Sequence, residues 1–105
     1  MAMLLKRTFS AWIDRMPGKP PKLIVKGKAE TPTAGWAGVL ARAPQQGNDP
    51  KVLLLEARLT PPTGPAATKI CQIDLRYEEM PASACTHATV RLDESEVTLE
   101  VEPTQ

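Results

Sequence analysis

The sequence predicts an all-β domain, an antiparallel sandwich of six to seven strands with a short N-terminal helix. Six short apolar runs, at 22–28, 35–41, 51–59, 69–77, 85–92 and 95–101, are fenced by proline, glycine or asparagine, the cadence of strands joined by turns. None of the eleven prolines falls inside a run; proline lacks the N–H a ladder needs, so its placement marks strand boundaries. Before the runs, Leu5, Phe9, Trp12, Ile13 and Met16 recur at helical spacing.

Each element follows in order. Residues 1–21 read as an amphipathic arm with a Pro-rich spacer. The helix expected over 3–16 keeps Lys6, Arg7, Ser10 and Asp14 off its apolar stripe and stops at Pro17-Gly18. A helix this short is marginal alone in water, so the stripe must cover something: the body of the domain, a second copy in a homodimer, or a membrane surface. Residues 22–105 read as the sandwich. In 22–28, Leu23 and Val25 alternate with charged neighbours. The turn at 31–36 ends in Trp36, and 35–41 sends Val39 inward. A polar loop at 43–50 precedes Val52-Leu-Leu-Leu55, apolar on both faces as in a central strand covered on both sides. The 60–65 segment carries Pro61, Pro62 and Pro65 and favours polyproline II.

In 69–77 the residues Cys71, Ile73, Leu75 and Tyr77 share the apolar face. In 85–92 the set is Ala84, Thr86, Ala88, Val90 and Leu92, which leaves Cys85 on the opposite face. Residues 80–84 are expected to close a hairpin between these two runs, and Asp93-Glu94 a tight one before 95–101. The expected core is Leu23, Val25, Val39, Leu53, Leu55, Leu59, Ile73, Leu75, Val90, Leu92, Val97, Leu99 and Val101. Cysteines on opposite faces cannot reach disulfide geometry, so two free thiols are expected, with Cys71 buried.

At 105 residues the chain has room for one core, and 42% apolar with 24% charged residues is globular composition. Aromatics are only 4%, so the core rests on Leu, Ile and Val. Charge is uneven: residues 1–28 carry seven basic groups against Asp14, a net of +6, and the remainder carries −5. In many sandwiches the first and last strands are neighbours. Lys26 and Lys28 are therefore expected to be neutralised by Glu96, Glu100 and Glu102. No run approaches the length of a membrane-spanning helix. Lys6, Arg7 and Asp14 break any secretory pattern, so the expected compartment is the cytoplasm, or outside the cell if the start is misassigned.

The chemistry-bearing residues are few. Cys85 and His87 lie two apart on one strand and so on one face, the minimum for a thiol nucleophile beside a base. No orienting acid, metal-ligand spacing, phosphate loop or serine elbow accompanies them. Glu78-Glu79 and the acids at 93–102 lack calcium-loop spacing. No cofactor or metal is expected. Nucleic-acid readers interleave aromatics with basic residues; here Phe9 and Trp12 belong to the apolar stripe, and no nucleic acid is expected. The function expected is a non-enzymatic binding module with a protein partner. It would offer Pro-rich loops or a sheet edge, with Phe9, Trp12, Trp36, Pro61 and Pro62 as candidate contacts. Two alternatives stay open: a thiol-dependent enzyme using Cys85 and His87, and a loop-presenting hydrolase inhibitor.

The segments Thr-Pro-Thr-Ala-Gly-Trp at 31–36, Pro-Gln-Gln-Gly-Asn-Asp-Pro at 44–50, Thr-Pro-Pro-Thr-Gly at 60–64 and Arg-Tyr-Glu-Glu at 76–79 resemble those of small uncharacterised bacterial proteins. The run cadence over 22–102 is similar to that of an immunoglobulin-like β-sandwich, without its cysteine–tryptophan–cysteine core. The resemblance implies a fold and no activity.

Overall fold

The computed structural model describes residues 2–65, 67–82, 85–92 and 95–102. They form seven strands: β1 (Met3–Asp14), β2 (Lys22–Thr31), β3 (Ala37–Arg42), β4 (Val52–Thr60), β5 (Cys71–Glu79), β6 (His87–Leu92) and β7 (Ser95–Glu102). All six apolar runs are strands, because each alternates between a packed and a solvated side. The sheet order is β3-β4-β6-β7-β1-β2-β5. The β1/β7 and β4/β6 pairs are parallel and the other four antiparallel. The edge strands β3 and β5 approach each other, so the sheet curls into a nearly closed barrel. The expected antiparallel immunoglobulin-like sandwich with an N-terminal helix is therefore corrected to a mixed, barrel-like sheet with no helix among the described residues.

The helix expectation fails for a definite reason. Residues 3–16 enter the sheet as β1, between β2 and β7, where Phe9, Ala11 and Ile13 alternate inward. A bulge hides this alternation. Leu5 pairs with Lys28 and Ser10 with Lys26, so residues 6–9 stand opposite the single residue Gly27. Leu4 and Phe9 both point inward although they are five positions apart, an odd spacing that breaks a period of two and mimics a helical stripe. Gly27 is required here: a Cβ at that position would overlap the Phe9 ring, the close approach that isolated strand glycines often mark.

The core is built from Leu4, Phe9, Leu23, Val25, Leu40, Leu53, Leu55, Leu75, Val90, Leu92, Val101 and several alanines, with Leu59, Ile73, Tyr77, Val97 and Leu99 at its margin. Val39 is the exception to the expected core, at 57% exposure. In β3 the inward positions are Gly38 and Leu40, and a Cβ on Gly38 would come within 2.6 Å of Leu59 and 2.8 Å of Leu75. The central-strand reading of 52–55 holds. Leu54 points away from the barrel interior yet is buried, under the 43–50 loop, whose Gln46 side chain also accepts from its backbone N–H at 2.9 Å and donates to its C=O at 3.0 Å.

Two connections differ from the sequence reading. β5 and β6 are not neighbours, so no hairpin pairs them; on the described parts of their connection, Ala82 N–H donates to Pro21 C=O and Thr86 N–H to Lys51 C=O. The neutralisation of Lys26 and Lys28 by β7 glutamates also fails, since β1 separates β2 from β7. Residues Asp93, Glu94 and Ala84, to which the tight-hairpin and face assignments referred, lie outside the described residues.

Candidate functional site: the seam between the first and last strands

β1 and β7 run parallel, and among the described residues their register pairs are Ala11 with Val101 and Trp12 with Glu102. β7 continues backward to Ser95, paired on its other side to β6 through Leu92–Ser95 and Val90–Val97. Toward that end β1 departs along β2, and its bulge breaks the register. The backbone of residues 95–100 therefore has a ladder on one side only. The strands diverge around a cleft of about 580 Å³ lined by Phe9, Ser10, Ala11 and Trp12 from β1 and by Thr98, Leu99, Glu100 and Glu102 from β7.

The lining follows from strand alternation. Phe9, Ala11 and Leu99 belong to the inward set and form an apolar floor. Ser10, Trp12, Thr98, Glu100 and Glu102 belong to the outward set and form the lips. Trp12 is held by the Lys26 ammonium, 5.5 Å from the centroid of its ring, a cation–π contact. On the β7 lip, Glu100 sits in register with His87. The seam thus offers backbone hydrogen-bonding groups, an apolar floor and an acidic lip.

Of the residues singled out from sequence, Phe9 and Trp12 meet at this seam, Phe9 buried in its floor and Trp12 on its rim. Trp36, Pro61 and Pro62 lie elsewhere, in the loops where β2 passes to β3 and β4 to β5. There Trp36 Nε1 donates to Thr33 Oγ1 at 2.9 Å. Pro62 packs on Gly35, whose φ of +87° is a turn conformation suited to glycine. These five residues do not form one site. Leu99 was expected only in the core, Glu100 and Glu102 only as partners of Lys26 and Lys28, and Thr98 not at all, because their value as contacts depends on β1 lying parallel beside them, a non-local pairing that no short-range pattern signals.

No hydrogen bond joins Cys85 to His87 among the described residues. Both cysteines are free, but their expected exposure is reversed: Cys85 is buried at 7% exposure and Cys71 is half-buried. The strand alternation begins only at His87, so extrapolating it back to Cys85 gave the wrong face. Burial pushes the Cys85 thiol pKa up, opposite to what a reactive thiolate needs. His87 Nδ1 lies 2.9 Å from the Thr86 hydroxyl. Nearby, Arg42 Nη1 and the Tyr77 hydroxyl both donate to Glu79 Oε1 at 2.8 Å. Tyr77 is held above its ordinary pKa, first by burial and then by Glu79. No group of three or more metal-ligating side chains occurs among the described residues. Comparison with protein families, curated proteins and solved structures finds no match to the chain.

Proposed function

We propose that the domain is a protein-binding module that takes up an extended segment of its partner along the open side of β7, in the seam against β1. One observation carries this reading: among the described residues the β1/β7 ladder begins only at Ala11 and Val101, and the 98–100 backbone before it lies beside a cleft. Added strands gain affinity from main-chain hydrogen bonds and specificity from alternate side chains. The inward side chains of such a segment would meet Phe9, Ala11 and Leu99 and should be small and apolar. The outward ones would lie near Glu100 and Glu102 and should be basic.

The test is a random-peptide selection against the full chain, followed by amide chemical-shift mapping of the selected peptides. Peptides of alternating apolar and basic character, with shifts concentrated at 95–100 and at Ser10–Trp12, are the expected result. Shifts confined to 31–36 and 61–65 would transfer the binding role to the proline-rich loops.

A further inference from the structure

The outer face on the other side of Trp12 has a different chemistry. β2 presents Lys26 and Lys28 outward, and both are exposed. The β1 bulge exposes Lys6 and Arg7 and is held in place by Thr8, whose hydroxyl donates to Leu5 C=O at 2.6 Å and accepts the Lys28 N–H at 2.9 Å. The bulge is therefore a fixed projection of two cations rather than a slack loop. Beside it, Thr8, Lys26, Gly27, Lys28, Asp74, Leu75 and Arg76 line a groove of about 450 Å³.

The cations here lack the partners expected from sequence. No ion pair among the described residues involves Lys6, Arg7, Lys26 or Lys28. Lys26 is in register with Arg76 on β5 and with Ser10 on β1. Like charges directly opposite on paired strands are destabilising, and a bound anion relieves that cost. Asp74, in register with Lys28, is the carboxylate of the groove, and Glu78 is already engaged by Arg76 and Lys22. Trp12 stands at the edge of this patch, under Lys26. The aromatic residue and the cations are thus interleaved on one surface, as the helical reading of 3–16 did not allow.

We propose that the outer face of β1, β2 and β5 binds single-stranded nucleic acid, with Lys6, Arg7, Lys26, Lys28 and Arg76 on phosphates and Trp12 as a stacking platform. A base that stacks on the indole displaces the Lys26 ammonium, which is then free to meet the adjoining phosphate; both contacts are those of sequence-tolerant single-strand binders. A duplex is disfavoured because, among the described residues, no helix or β-ribbon projects to enter a major groove. An anionic membrane is disfavoured because surface anchoring combines charge with apolar insertion. Among the described residues the exposed large apolar side chains are Met3, Met16, Val39, Ile70 and Met80, and none lines the groove. The Glu96, Glu100 and Glu102 stripe of β7 repels phosphates and bounds the face beyond Trp12.

The experiment is anisotropy titration of a fluorescein-labelled twelve-nucleotide oligouridylate with the full chain at two salt concentrations. Four or five phosphate contacts predict an affinity about 50-fold weaker or more at 200 mM than at 50 mM salt. Lys26→Glu with Lys28→Glu should abolish binding, while Lys26→Gln with Lys28→Gln, which carries less risk to folding, should weaken it about tenfold. In a Trp36→Phe background, indole emission from Trp12 should fall as the oligonucleotide binds. Absence of binding at 50 mM salt overturns the proposal. Affinity unchanged by the glutamine variant also overturns it, as does binding to vesicles containing phosphatidylserine without binding to the oligonucleotide.

Discussion

The barrel has two places where its backbone ladder fails, and they are finished in opposite ways. Between β3 and β5 the gap is filled by side chains. Gly38 lets the ends of Leu59, Ile73 and Leu75 pack close to the β3 backbone, and Glu79 receives hydrogen bonds from Arg42 on β3 and from Tyr77 on its own strand. Between β7 and β1 the pairs Ala11–Val101 and Trp12–Glu102 hold the strands at one end and a cleft opens at the other. Apolar packing and a half-buried ion pair can substitute for missing ladder bonds; where neither is supplied, the strand edge remains available. The difference separates a structural junction from a candidate recognition site on the same sheet.

The strongest test of this contrast is Leu75, which is fully buried and belongs to the filled junction. Leu75→Ala should cost about 2–5 kcal/mol in urea unfolding, the usual range for a buried leucine. Leu99→Ala, at the open seam where the side chain is only partly buried, should cost clearly less. Equal losses would mean that the two junctions are packed alike and would remove the contrast.

The next effect in size concerns the bulge that pulls β1 away from β7. Gly27→Ala places a methyl group inside the Phe9 ring and should cost about 1–3 kcal/mol, as overpacking commonly does. Phe9→Leu combined with Gly27→Ala should recover part of that loss, because residues in direct contact are not additive. A double-mutant cycle from thermal unfolding measures the coupling, and strict additivity would show that the ring does not occupy the space above Gly27.

Smaller again is the ion pair across the filled junction. The Glu79 side chain is 16% exposed and that of Arg42 is 50%, so the pair is partly screened. Glu79→Gln weakens hydrogen bonds to both Arg42 and Tyr77 and should cost about 1–2 kcal/mol. The Tyr77 phenol should also titrate lower in this variant, because Glu79 contributes to its upward shift. An unchanged phenol titration would place the cause in burial alone.

These contrasts also show which parts of the molecule are legible in its sequence. The six apolar runs are legible because a strand with one buried face imposes a period of two over five or more residues. β1 is not, since residues 6–9 opposite Gly27 shift its inward set and turn Leu5, Phe9, Trp12, Ile13 and Met16 into an apparent helical stripe. The face of β3 is misread because its inward position is a glycine, which has no hydropathy to contribute. Strand order is the larger gap. β1 inserts between β2 and β7, and this places Trp12 beside both Lys26 and Glu102. Nothing within 20 residues of Trp12 announces Glu102. Trp12 itself is recognisable as a large apolar residue among charges, but the seam that gives it a role exists only after the barrel is assembled.

The smallest effect on stability is the most direct check of the barrel end next to the filled junction. Cys85 packs into the core beside Glu79 and Arg42, whereas Cys71 opens β5 in a half-buried position. In native protein at neutral pH, Cys71 should be alkylated by iodoacetamide well before Cys85, the reverse of the order expected from strand alternation. Because burial raises the Cys85 pKa, the folded state keeps its proton at pH values where the unfolded chain has lost it. The thiol therefore leaves stability unchanged below the ordinary cysteine range and reduces it as pH rises from there through the raised folded value. Cys85→Ala should flatten that alkaline decline, although Tyr77, also raised, will retain part of it. Mass spectrometry of singly alkylated protein decides the matter: label found first on Cys85 would mean that its thiol is not buried in the core.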